Sequence, residues 1–461
     1  MKKLFSAALA LVIAASIAPS SFAGGVDNKT NLNAGYERNP SRNTECKRPE
    51  AVFYNIGGLS FMDDGLYAEV GDQLVFKKYT NKLDSPLMEP FGINGSYDDK
   101  RLVYLYPNAE LVWKKGNTAL FFGFGVFGGG GNLDYKNGTA MTALAFLDQA
   151  NTYKSKAVEA QAAALKYKAA GDATNAAKYA AAAKQAGDAA QVLSTISRDH
   201  ELSVYSVQLG EIVGISTQVT DWMSVAVAGR FMHGTQSISL DSPLLPMIGN
   251  DGDEIGYKAD GYSIGGLFGF HFKPVDGLDL AVQYQSITRL NYRYHSYTGT
   301  DSVISGIITN KKSNFANDLP AVINLGAGYQ VLEPLYVSTS FNYYFNKFAT
   351  IENPVSGAEY DYKDSWEIAL GADWQFTDSF LASTGISYGH NGTSKSENNI
   401  FSPVLDSFVI GAGVEYKFTK YVTGTGSLMY CKYFDEKFSD FDMTLSKNVT
   451  MLAFGVTVKP F

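Results

Sequence analysis

The sequence predicts an all-β fold: a 14-stranded antiparallel transmembrane β-barrel with an Ala-rich helical insertion in one outer connection. Three observations predict it. Apolar residues recur with period two over unusually long stretches. Aromatic residues gather at the ends of those stretches, as they do at the two interfaces of a membrane barrel. Short turns and long connections alternate along the chain without a break.

The elements follow in order. Met1, Lys2 and Lys3 are a basic start, residues 4–18 an apolar core, and Ser21-Phe22-Ala23 a small-x-small cleavage site. Residues 1–23 therefore read as a cleaved secretory signal peptide, too short to be a membrane anchor. The chain carries a formal charge of −8, which argues against nucleic acid as a partner. Its two cysteines, Cys46 and Cys431, are no disulfide scaffold; whether they pair stays open. Beyond the signal, no stretch has the ~18 apolar residues of a membrane-spanning helix.

The alternation is clean over 366–376, where Trp366, Ile368, Leu370, Ala372, Trp374 and Phe376 share one face. Residues 408–418, 321–331 and 335–345 repeat it. These strands run to about 11–17 residues, against ~5–6 in soluble sheets, and fit a tilted crossing of a bilayer. Turns such as Lys114-Lys115-Gly116-Asn117 and Leu332-Glu333-Pro334 join pairs of strands. Long segments near 81–100, 131–202, 238–258, 297–318, 349–361, 389–406 and 435–444 separate the pairs. The resulting strands lie near 65–80, 101–114, 117–130, 203–219, 221–237, 258–273, 277–296, 319–332, 334–349, 361–376, 379–390, 406–418, 420–435 and 444–460. Even parity places both ends on the periplasmic side. Phe461 supplies a terminal aromatic, one step out of register with Leu452, Phe454, Val456 and Val458.

Residues 141–197 interrupt the strands. The stretch "AVEAQAAALKYKAAGDATNAAKYAAAAKQAGDAAQ" is built on the strongest helix former, and Gly171-Asp172 predicts a break between two helices. Lying between the third and fourth strands, the pair is expected outside the cell, with no residue-level indication of its role.

In this order and spacing the chain resembles the FadL/TodX outer-membrane transporters of long-chain fatty acids and other hydrophobic compounds. "AVFYNIGGLSFMDDGLYAEVG" is similar to the family's segment around an Asn-Pro-Ala motif, and "LPAVINLGAGYQVLEPLYVSTSFNYYFNKF" and "DSWEIALGADWQFTDSFLASTGISYGHNG" resemble its later hairpins. Here Asn55-Ile56-Gly57 stands in place of Asn-Pro-Ala, so the kink falls to Asn55, Gly57 and Gly58. The resemblance implies that residues 24–62 form a plug inside the lumen of a barrel spanning 63–461, since fourteen strands would otherwise enclose a water-filled channel.

It further implies passive uptake: capture at outer loops, a pocket against the plug, and lateral release through a kinked third strand. Phe53, Ile56, Leu59 and Phe61 are the apolar plug residues for the pocket, unless that segment only packs. Leu244, Leu245, Met247 and Ile248 in one loop, and Val303, Ile304, Ile307 and Ile308 in another, are exposed-loop apolar clusters suited to capture or to loop–loop packing. Gly123, Gly125 and Gly128 permit a bend in the third strand or close packing on the plug. Period two turns Arg230 and His271 inward, where Arg230 either grips a ligand carboxylate or makes a structural ion pair.

The expected partners are a hydrophobic small molecule such as a fatty acid, outer-membrane lipid and the β-barrel assembly machinery, for a monomer in the outer membrane. No enzymatic signature is read: five histidines are scattered, and "FGGGGN" lacks the ending of a phosphate loop. No metal and no cofactor is expected. A non-specific porin, which needs no plug, and a surface adhesin, favoured by the helical insertion alone, are the alternatives.

Overall fold

The computed structural model describes residues 33–86, 88–195, 200–243, 245–246, 249–310, 312–393, 404–438 and 442–461. The signal-peptide residues, Leu244, Met247 and Ile248 lie outside them.

Fourteen staves close into one antiparallel barrel. They are β1 (Gly65–Leu83), β2 (Gly95–Val103 and Asn108–Lys115), β3 (Thr118–Tyr135), β4 (Glu201–Thr220), β5 (Met223–Asp241), β6 (Glu254–Phe272) and β7 (Leu278–Gln285 and Asn291–Thr298). Then come β8 (Asn314–Ala316 and Ala321–Leu332), β9 (Leu335–Phe345), β10 (Ser365–Thr377), β11 (Phe380–His390), β12 (Ser407–Lys417), β13 (Val422–Tyr433 and Glu436–Phe438) and β14 (Met443–Val458). Each pairs with its neighbour in sequence, and β14 pairs with β1 from Ala68↔Val458 to Leu83↔Met443, which leaves no free edge.

The expected faces are realised. Leu370, Ile410, Phe454, Val213 and Phe268 are exposed on the outer wall, while Glu110, Gln208, His271, Gln283 and Glu367 are buried inside. Four staves are broken where unbroken strands were expected. Pro107 and Pro320, which have no N–H to donate, fall in the breaks of β2 and β8. In β7 the break spans Ser286 and Thr288, where the Ser286 carbonyl and the Thr288 hydroxyl accept from the Arg230 guanidinium while the Thr288 backbone keeps an isolated bridge to Leu319.

Two helices follow β3, α3 (Ala140–Ala169) and α4 (Ala173–Thr195). Thr139 caps α3 with a reciprocal bond to Thr142, and Gly171, at φ +77, turns the chain between them. At 30 residues α3 is about 45 Å long. The pair is held along its length by small contacts, with Tyr167 and Tyr179 stacked 5.3 Å apart near the tip.

Residues 33–62 fill the lumen. They form the short helices α1 (Ala34–Arg38) and α2 (Ala51–Tyr54) and a 3-10 turn, Ile56–Phe61. Nearly all of this segment is buried, polar residues included.

Candidate functional site

The plug, or hatch, is bound to the wall by charge on one side and by fitted backbone on the other. Arg42 stands 3.2 Å from Asp373 of β10 and 3.1 Å from Glu45. Arg38 lies 3.6 Å from Asp373 and 3.7 Å from Glu415 of β12, and Arg48 makes a two-pronged pair with Glu415. Burial opposes ionisation of Glu45, but the guanidiniums of Arg48 and Arg42 outweigh it and hold that carboxyl below its ordinary value. Asn43 adds neutral bonds of 2.8 Å to Asn342 and to the Leu325 carbonyl.

On the opposite side the 3-10 turn is pressed onto β4, β5 and β6. Asn55 caps it, accepting from the Gly58 N–H at 3.2 Å. Its amide nitrogen donates to the Glu45 carbonyl and meets His271 Nδ1 at 2.8 Å. The Gly57 carbonyl accepts from Ser216 and Ser224, and the Ile56 N–H donates to Gln283. A Cβ on Gly57 would stand 2.9 Å from the backbone of Phe270 and His271, and one on Gly58 would stand 2.5 Å from the Glu45 carbonyl oxygen. Neither glycine has a positive φ; both serve close approach.

Cys46 Sγ, a His271 ring nitrogen and an Asp279 oxygen lie within 4.8 Å of one another, a spacing compatible with a metal ion. The chemistry of the set does not fit one. The Lys273 ammonium already sits among them, 2.8 Å from Asp279 and 3.4 Å from Cys46. Asn55, fixed by its backbone partners, donates to His271 Nδ1, so the ring proton rests on Nε2 and is given to Asp279 at 2.9 Å. Burial pushes the Cys46 thiol up to about 12, away from the thiolate a metal requires. Both cysteines are buried, and among the described residues neither is in a disulfide.

The third strand is irregular in its pairing with β4. Register slips between Val126 and Gly128 and again between Gly128 and Gly131, opposite Leu209, Gln208 and Ser206 of β4. Gly129, at φ +85, leaves no room for a side chain: a Cβ would stand 2.4 Å from the Ser206 carbonyl oxygen. At the first slip Phe127 turns inward, its ring 6.0 Å from Phe53 of the hatch and 5.8 Å from the Arg230 guanidinium. Gly123, lower on the strand, faces the hatch, where a Cβ would meet Val52 at 2.5 Å.

Arg230 is buried and makes only neutral bonds, to Gln285 at 2.7 Å, the Ser286 carbonyl at 3.2 Å and Thr288 at 2.5 Å. Its Nε has no partner, and among the described residues no carboxylate stands beside it. The expected apolar residues divide between two sides of the hatch. Phe53 faces Phe127 and a small cavity with Tyr54, Gln285 and Val322. Ile56 packs on Gly269 of β6, and Leu59 is fully buried. Phe61 lies at the other mouth, 5.2 Å from His271. In the outer loops Leu245, Val303 and Ile304 are buried, and the two loops are tied by Asn250 and Asp251 to Thr300 at 2.8 Å each. Ile308 is half-buried. Sequence reasoning missed Phe127; its signal was a large aromatic just before the four-glycine run.

Comparison with known proteins agrees with this architecture. The family model described as outer membrane protein transport protein (OMPP1/FadL/TodX) matches residues 200–458. Among solved structures, a FadL homologue of Pseudomonas aeruginosa superposes with a TM-score of 0.63 at 13% identity, covering 95% of this chain and 99% of that one. The toluene transporter TodX of P. putida gives 0.61 at 12% identity, with 94% and 99% covered. The toluene transporter TbuX of Ralstonia pickettii gives 0.55 at 13%, with 94% and 100% covered. At such identities the likeness is one of fold. No curated protein sequence matches the chain.

Proposed function

Because the family model spans more than half of the chain, this protein belongs to the OMPP1/FadL/TodX family of outer-membrane transport proteins, which are channels and not enzymes, and on that premise we propose that it takes up long-chain fatty acids by passive diffusion. One observation carries the choice of solute. Arg230 is a buried cation without a counter-charge, set beside the apolar contact of Phe127 with Phe53. An uncompensated buried charge is costly, and a carboxylate would relieve it. An aliphatic tail would take the apolar side. Toluene, carried by TodX and TbuX, has no charge with which to neutralise the guanidinium.

In this reading the loops around Leu245 and Val303 capture the solute on the extracellular side. It descends to the hatch at Phe53 and Arg230, then leaves sideways past Phe127 where the β3 ladder is broken. Residues 1–23 act as the export signal, residues 24–62 as the hatch, and the assembly machinery inserts a monomer into the outer-membrane lipid.

The test is oleate binding to purified protein, with toluene as competitor. Arg230→Ala should weaken oleate by about 1–3 kcal/mol and leave toluene unchanged; Arg230→Lys should restore part of the loss. Oleate affinity unaffected by either substitution rejects the assignment.

A further inference from the structure

At the short-turn mouth, below the hatch, lies a cavity of about 660 Å³, the size range of small-molecule sites. Its roof is hatch, through Lys47, Arg48 and Phe61, and its walls are the ends of β6, β12, β13 and β14. Six cationic side chains line it against two carboxylates, Asp63 and Glu415, in a chain whose formal charge is −8.

The imbalance survives a count of ion pairs. Glu415 is taken up by Arg48, and Lys273 by Asp279. That leaves Lys47, Lys417, Lys420 and Lys459, none of which has a carboxylate partner among the described residues. Three of them rest on aromatic rings instead: Lys459 lies 4.8 Å from the Tyr67 centroid, Lys420 4.7 Å from that of Tyr421 and Lys47 5.8 Å from that of Tyr336. A ring positions an ammonium without neutralising it. Lys417 has the inward parity of Glu415, and Lys459 lines the same cavity, so their charges add across one concave mouth, which focuses the field.

We propose that this cavity binds a multivalent anion carrying phosphate groups. Lys47 belongs to the hatch, whereas Lys417, Lys420 and Lys459 belong to the wall, so an anion spanning them is bound only while the hatch is seated. Its binding therefore favours the seated hatch by mass action. The phosphate is either soluble or part of a lipid headgroup at the periplasmic surface.

The full-length protein in detergent, titrated with inorganic tripolyphosphate at low salt, should show saturable one-to-one binding. The triple substitution Lys417→Gln, Lys420→Gln, Lys459→Gln should weaken it at least tenfold, with the oleate affinity of Arg230 intact. In nanodiscs, hydrogen exchange of hatch amides identifies the source. Slowing by tripolyphosphate in neutral phosphatidylcholine marks a soluble anion; slowing only on replacement by phosphatidylglycerol marks a headgroup. Hatch exchange that neither agent slows, or slowing that the triple variant retains, overturns the site.

Discussion

Asn55 does three jobs with one amide. It caps the 3-10 turn, holds the Glu45 carbonyl and fixes the tautomer of His271. Asn55→Ala should cost about 1–3 kcal/mol, because His271 Nδ1 and the Glu45 carbonyl are left buried without a donor. Hydrogen exchange of amides 56–61 should then speed up by roughly 10- to 100-fold while strand amides keep their protection. Equal acceleration in the barrel strands would contradict a local role. The sequence marked Asn55, Gly57 and Gly58 as a kink, and that much was legible in the glycines. What the kink touches was not. His271 stands 216 residues away, and nothing in period two tells which inward residue faces which turn.

Strand parity was the most legible property of the elements. A slip of one residue would turn Leu370 and Ile410 inward and Glu367 outward, so alternation fixes the faces and, through them, the lumen. The breaks were harder to read. Those at Pro107 and Pro320 had a signal in the imino ring, but the break in β7 coincides with Arg230 reaching the Ser286 carbonyl and the Thr288 hydroxyl across the wall, a tertiary contact. The glycine run in β3 announced an irregularity without giving its form. Gly129 now stands out as the residue that requires a left-handed backbone. Gly129→Ala should cost about 1–2 kcal/mol of conformational strain and press on Ser206. If solute leaves through the bulge, oleate uptake by cells should fall at equal surface abundance while affinity in detergent holds. Unaltered uptake would place the exit elsewhere.

For the whole molecule, the question is whether the hatch must move. Val52 and Gly123 touch across the hatch–wall boundary. A double variant, Val52→Cys with Gly123→Cys, oxidised to a bridge, should stop uptake, and reduction should restore it. Uptake undiminished in the oxidised form would mean that solute passes a stationary hatch. Filling of the lumen was implied by the resemblance of the segment before the first strand to the family's plug. The electrostatic side of that filling was not, because Arg38, Arg42 and Arg48 find Asp373 and Glu415 only once the barrel has closed.

That separation dictates an order of assembly. Arg42 waits for a carboxylate 331 residues downstream and Arg48 for one 367 residues downstream. The arginine side of the hatch therefore has no carboxylate on the wall to meet until β10 and β12 exist. On its charged side the cork can seat only after the bottle has been shaped.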